Sequence, residues 1–477
     1  MLRGLFPSFV SEALWPDQRT AWRVHPTSYL DGLRGIASVV VFICHYTEEN
    51  HNYLLPSHGL NGPSETSSAI QLPFLRIIYS GRPMVHIFFV ISGFVLSYKP
   101  IRQIHAGNLE ACLTTLSSSA FRRPFRLFGP CVVSTFLIAL LIQSGWLYTP
   151  LPSLSAQFWS WVDALFHSIT WPWAWDSDLR PGYDVHLWTI PIEFAHSMLL
   201  FIVILVLSRV RQVIRQSVVF CLMVYFLACG KWAAFEFIGG LFLAEIHLLQ
   251  SVRPKLWEFS ETSTYSQSPS STWIVRTAFH LSVIITAVFI GGWPNFHAAE
   301  TPGIRYLLAN TPNPWATMDD LAPQKFWFAI AAVFTVWSCG ELGFIRRFLE
   351  GPFPQYCGRV SYAVYIVHGP VLAMFQEYVI GNAHTLATGD PSLPGFQPAQ
   401  AASGVKGLVG VEGPTQQTVS WLVGLVILGP MVIWAADVFW RTVDVPIIGM
   451  ARQLESVCLD NTHNEGSPRS QGYSFAG

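Results

Sequence analysis

Tyr29-Leu-Asp-Gly-Leu-Arg-Gly-Ile-Ala-Ser-Val-Val-Val-Phe-Ile-Cys-His-Tyr46 reads as one apolar helix that carries two ionisable groups, Arg34 and His45. Eleven positions make about three helical turns, so these side chains share a face within about 20° and lie about 16 Å apart along the axis. An arginine at the mouth of such a helix holds anions, and a histidine deeper in it moves protons. Ionisable groups inside a membrane helix are costly and mark function. The pair points to a membrane-embedded reaction on a substrate or donor that carries phosphate.

Composition agrees. Of 477 residues, 51% are hydrophobic and only 12% charged, about half the charged share of soluble domains, and the mean hydropathy is +0.38. Nineteen Trp and 34 Phe suit lipid-facing helices and interfacial belts. A net charge of −1 gives no sign of nucleic acid. The eight Cys form no CxxC pair, and no metal-ligand spacing is evident, so neither a disulfide framework nor a metal is expected. The first 28 residues lack a continuous apolar core, against a cleaved signal peptide.

Ten apolar segments of about spanning length predict an all-α integral membrane fold: 31–49, 82–99, 127–146, 184–208, 216–230, 232–250, 274–293, 325–343, 360–380 and 419–440. The break at Gly230-Lys231 leaves open two helices or one broken helix. The Trp-rich run 156–175 reads as an interfacial helix. With both termini cytosolic, 21 of the 28 Lys and Arg fall on the inner side, which satisfies the positive-inside rule. Residues 50–75 and 381–418 are predicted as outer loops, 258–272 as a cytosolic linker, and the tail from Asn461 as disordered. The organisation expected is a cytosolic segment 1–27, a transmembrane domain 28–445 and a cytosolic tail 446–477.

Further groups share this apolar setting. The second span holds Ser92-Gly93, a small pair that lets two membrane helices approach, with His86 at its outer end. Arg122-Arg-Pro-Phe-Arg126 places three Arg at a cytosolic helix entry, where Arg123 and Arg126 can grip phosphates. No Gly-rich phosphate loop accompanies them. Glu193 is an acid inside an apolar helix and a candidate to orient His45, with Pro191 expected to kink that helix. Glu236 and Glu245 are similar but rank lower. Ser361, Tyr365 and His368 share a helical face, with Tyr362 beside them. Ser92, Tyr362, Tyr365 and His368 are candidate pocket residues.

Taken in order, Arg34 with His45, Phe-Phe-Val-Ile-Ser-Gly-Phe at 88–94, Arg123-Pro-Phe-Arg126, Leu-Trp-Thr-Ile-Pro-Ile-Glu at 187–193 and Ser-Tyr-Ala-Val-Tyr-Ile-Val-His at 361–368 resemble the acyltransferase 3 family of multi-pass membrane proteins. The fourth motif departs from the usual Ser-Leu followed by a non-Pro residue. The resemblance implies transfer of an acyl group, often acetyl, from acyl-CoA as co-substrate to a hydroxyl on a sugar, lipid or small metabolite. Arg34, Arg123 and Arg126 would then hold the donor, His45 would be the general base and Glu193 its orienter, with no permanently bound cofactor. A proton-coupled transporter that uses His45 and Glu193 as a relay is the alternative. The setting expected is an endomembrane or the plasma membrane.

Overall fold

The structure, a computed structural model, describes residues 7–8, 24–62, 67–252, 271–380 and 404–459. Among these the regular elements are all helical. The long helices are α1 (Ser28–Asn50), α2 (Gly81–His105), α3 (Leu109–Gln143), α4 (Leu154–Ala164), α5 (Thr189–Leu207), α6 (Gln212–Ala228), α7 (Trp232–Val252), α8 (Ser271–Gly291), α9 (Ala322–Glu341), α10 (Pro352–Phe375), α11 (Pro414–Phe439) and α12 (Val445–Cys458).

Each of the ten apolar segments lies on a helix, but among the described residues six helical stretches are long and apolar enough to cross a membrane. These are Gly81–His105, Leu109–Gln143, Val185–Leu207, Trp232–Gln250, Trp273–Gly291 and Pro414–Cys458. A seventh candidate, Ala322–Glu341 with Gly343–Leu349, bends by 94° at its break. The helices α1 and α10 are not among them. They bring polar groups to the bundle interior, where neighbouring helices rather than lipid surround them.

Helix α1 packs along α10, and two glycines make this possible. A Cβ on Gly35 would lie 2.3 Å from the Gly358 nitrogen, and one on Gly358 would lie 2.3 Å from the Asp31 carbonyl oxygen. Gly93 does the same between α2 and α7, where a Cβ would meet the Phe237 carbonyl oxygen at 2.3 Å. The two largest apolar cores centre on α2, α7 and α9 and on α1, α10 and α11, with two smaller clusters around Trp161 and Trp293.

Several details sharpen the sequence reading. A turn at Gly230, with φ +74, separates α6 from α7, so they are two helices and not one broken one. The Trp-rich run forms α4 and a following π-helical turn, with Trp159, Trp173 and Trp175 at least half exposed. Residues 50–75 are not irregular throughout: Asn52–Leu54, Ala69–Gln71 and Pro73–Arg76 are short helical turns. Buried Arg76 organises them by donating to the carbonyls of Leu55 (2.8 Å), Leu54 (3.2 Å) and Pro56. His86 is not interfacial. It is buried and pairs with fully buried Glu236, while Glu245 is held by Arg215 (2.5 Å) and His105 (3.2 Å). The expected linker up to 270, residues 381–403 and the tail from Asn461 lie outside the described residues, whereas the start of the expected tail is ordered as helix α12 (Val445–Cys458).

Candidate functional site

Arg34, Arg123 and Arg126, three to some ninety positions apart in sequence, line one cavity together with Ser92, Glu193, Tyr362, Tyr365 and Asp444. Val85, Phe88, Phe89 and Val95 complete its apolar walls. One Arg34 nitrogen, Nη2, donates to Asp31 Oδ1 and to the Gly358 carbonyl, both at 3.1 Å. Its Nε is buried and has no partner among the described residues. Such a donor is costly to leave unmet and suits an anionic ligand.

Arg123 is differently placed. It is buried, donates from Nη2 to Glu193 Oε1 (2.7 Å), and donates from Nε to Ser197 Oγ (3.0 Å). Ser92 Oγ donates to the same Glu193 oxygen at 3.0 Å. The carboxylate is therefore tied to Arg123 and Ser92, and no contact joins it to His45 among the described residues. Pro191 does not kink α5. It falls in the first turn, where a helix has no partner for its N–H in any case.

His45 lies instead in a cluster of imidazoles. Its ring centroid is 4.2 Å from that of His186 and 5.3 Å from that of His368, and the latter two are 4.6 Å apart. Three elements supply them: α1, the short turn Val185–Trp188, and α10. Asp184 starts that turn, and its Oδ1 accepts from the His186 backbone N–H (3.0 Å) and from His186 Nδ1 (2.9 Å). His186 Nε2 is 3.6 Å from Glu49 Oε1. His368 donates from Nδ1 to the Val364 carbonyl at 3.0 Å. The carboxylate nearest His45 is Glu48, 3.8 Å from Nδ1, which also receives Asn295 Nδ2 at 2.6 Å and lies 3.5 Å from Arg82.

The cluster sits just beyond the arginine cavity. Thr189 and Tyr365 line that cavity, and their hydroxyls are 2.7 Å apart. Tyr365 also donates to the His186 carbonyl, and its ring centroid is 6.1 Å from that of His368. On the other side a second cavity is lined by Glu49, Tyr148, Tyr183, Asp184, His186 and Gly369. Arg34 and Glu49 belong to opposite cavities, and fifteen positions on one helix separate them by about 22 Å.

Sequence reasoning singled out His45 and His368 but missed Glu49, Asp184 and His186. The available signal was Asp184-Val-His186 directly before an apolar helix, an acid placed to cap the turn and to hold an imidazole two residues on. No spacing in the sequence shows the histidine group, because the fold draws its three members together from distant segments.

Comparison with known proteins shows the family. The chain is 31% identical over 381 residues to the O-acetyltransferase PaAT-1 of Phomopsis amygdali, a match covering 73% of each protein. It is 24% identical over 391 residues to the acyltransferase clz18 of Cochliobolus lunatus and over 397 residues to the acyltransferase R4 of a Phoma species, each match covering 72% of this chain and 82% of the relative. No solved structure matches it significantly. The sequence model of the family, described as an acyltransferase domain, matches residues 27–441. With six apolar helices of spanning length and this match over most of its length, the chain belongs to the acyltransferase 3 family and is a multi-pass membrane acyltransferase.

Proposed function

We propose that the protein transfers an acyl group, acetyl in the first instance, from acyl-CoA to a hydroxyl of a small metabolite, a lipid or a sugar. The observation that carries this reading is the unmet Arg34 Nε in a cavity shared with Arg123, Arg126 and Tyr365, the last of which donates to the His186 carbonyl and neighbours the His368 ring. Arg34 and Arg126 bind the donor phosphates. Arg123 holds its charge against Glu193, so it shapes the cavity and contributes less directly.

The thioester then extends past Ser92 and Tyr362 towards Tyr365. His45 takes the proton from the acceptor hydroxyl as its oxygen attacks the thioester carbonyl, and the thiolate of CoA leaves. Asp184, through His186, fixes the neighbouring ring against which His45 packs. The acceptor enters from the cavity lined by Glu49 and Asp184. With both termini cytosolic, as the Lys and Arg bias favours, the arginine cavity would face the cytosol, where acyl-CoA resides, and an endomembrane or the plasma membrane would hold the bundle. The name of the Phomopsis relative, an O-acetyltransferase, supports O-acetylation, and the names of the other two support acyl transfer.

The test is transfer by the purified protein from radiolabelled acetyl-CoA to hydroxylated metabolites, with products identified by their gain in mass. His45→Ala should abolish turnover and leave membrane insertion at the wild-type level. Wild-type turnover in that variant would remove the base.

A further inference from the structure

We propose that His45, His186 and His368 form a divalent-metal site with the donor chemistry of zinc, and that its occupancy switches the base off. One ring nitrogen from each histidine lies within 4.8 Å of the other two. A triangle with no longer side has every corner within about 2.8 Å of its centre, so zinc–nitrogen bonds of about 2.0–2.1 Å require each ring to move by less than about 1 Å.

The outer ring nitrogens support the same reading. Metal-bound histidines donate their second N–H to a carboxylate or a carbonyl, which fixes the ring and its tautomer. His186 Nδ1 is held by Asp184 Oδ1 at 2.9 Å, and His368 Nδ1 by the Val364 carbonyl at 3.0 Å. Both leave Nε2 as the free donor. His368 Nε2 is fully buried and has no partner among the described residues, an unusual position for a lone pair inside an apolar bundle.

Charge favours a cation here. Glu48, Glu49 and Asp184 surround the cluster, and the Asp184 Oδ2 atom is also buried without a partner. The cation recorded beside them is Arg82, 3.5 Å from Glu48. Glu49, 3.6 Å from His186 Nε2, is placed to become a fourth ligand, and the Glu49–Asp184 cavity provides the path in. Three imidazoles select zinc, nickel, cobalt or copper over magnesium and calcium. The His45 nitrogen that binds an ion cannot also accept a proton, so an occupied site is inactive. Only this last effect rests on the acyl-transfer reading; ion binding is independent of it.

The experiment uses the full chain in nanodiscs, purified with a tag free of histidine, stripped with a chelator and titrated with Zn²⁺ against a fluorescent zinc indicator. One equivalent per chain is expected, with affinity lowered at least tenfold in His186→Ala and His368→Ala. Glu49→Gln, which keeps the size of the side chain, should weaken binding by a smaller factor if the histidine variants fail to fold. Zinc should suppress acetyl-CoA turnover, and chelator should restore it. No stoichiometric binding, or binding unchanged in all three variants, overturns the site. Turnover that rises with zinc overturns the switch. Intact zinc binding without transfer to any acceptor would instead refute the acyltransferase assignment of the cavity and leave the metal site standing.

Discussion

Gly369→Ala is a one-carbon perturbation aimed at the imidazole cluster. A Cβ at this position would lie 2.4 Å from His186 Nδ1, 2.9 Å from its Cε1 and 3.1 Å from Asp184 Oδ1. Ordinary contact begins at about 3.4 Å, so the His186 ring must retreat by about 1 Å. A retreat of that size takes the 2.9 Å Asp184–His186 bond beyond hydrogen-bonding range. Loss of a charge-assisted bond costs about 1.5–3 kcal/mol. Converted to a barrier, that is about ten- to more than a hundredfold in rate, the same range that a misplacement of about 1 Å produces in a catalytic group. The helix itself should tolerate the change, because Ala is a better helix former than Gly by about 1 kcal/mol. The assay is the initial rate of acetyl transfer in nanodiscs, alongside thermal unfolding. We expect kcat to fall at least tenfold, the KM for acetyl-CoA to stay near wild type and Tm to change little. Asp184→Asn should act in the same direction, and the double variant should be no worse than the poorer single one, since both act through one ring. Full kcat in a folded Gly369→Ala enzyme would refute the coupling of this ring to the chemistry.

Arg34→Ala should raise the KM for acetyl-CoA about tenfold or more, with Lys restoring only part, because a point charge cannot reproduce the guanidinium fork; unchanged donor KM would make Arg34 a topology anchor. Glu193→Ala should lower stability by about 1.5–3 kcal/mol, because it strands the buried Arg123 guanidinium. It should leave the acidic limb of the pH–rate profile in place, and a shifted limb would restore Glu193 as the orienter of His45. Lys406, in the short helix Gly404–Val409, is buried, which lowers its amine to about 8. A depressed lysine costs stability while the unfolded chain is charged, so Lys406→Met should raise Tm below pH 8, with the gain fading as pH approaches 10.5; a gain independent of pH would point to packing alone. Cysteines introduced at residues 58 and 410 should react with an impermeant reagent from the side opposite to cysteines at residues 107 and 209, and labelling of all four from one side would break the topology that sets the donor cavity in the cytosol.

What the sequence by itself determined is the class of protein and the type of chemistry. Helical periodicity and the cost of buried charge are local properties, so Arg34 and His45 on one face, Ser92-Gly93 as a contact and the ten helical segments were all legible in single stretches of chain. The family motifs are local too, and the family match over residues 27–441 contains them all. Pairing is not local. Glu193 stands five positions before its helix midpoint with nothing in its surroundings to say that Arg123, seventy residues earlier, takes its charge. His45, His186 and His368 meet only because α10 lies against α1 at Gly35 and Gly358, and because Gly369 leaves room for the His186 ring. Likewise the polar stretch 50–75 looked irregular because the guanidinium that orders it, Arg76, finds its carbonyls some twenty residues away. Hydropathy shows which groups are expensive to bury; only the packing of the bundle decides which partners make their burial tolerable.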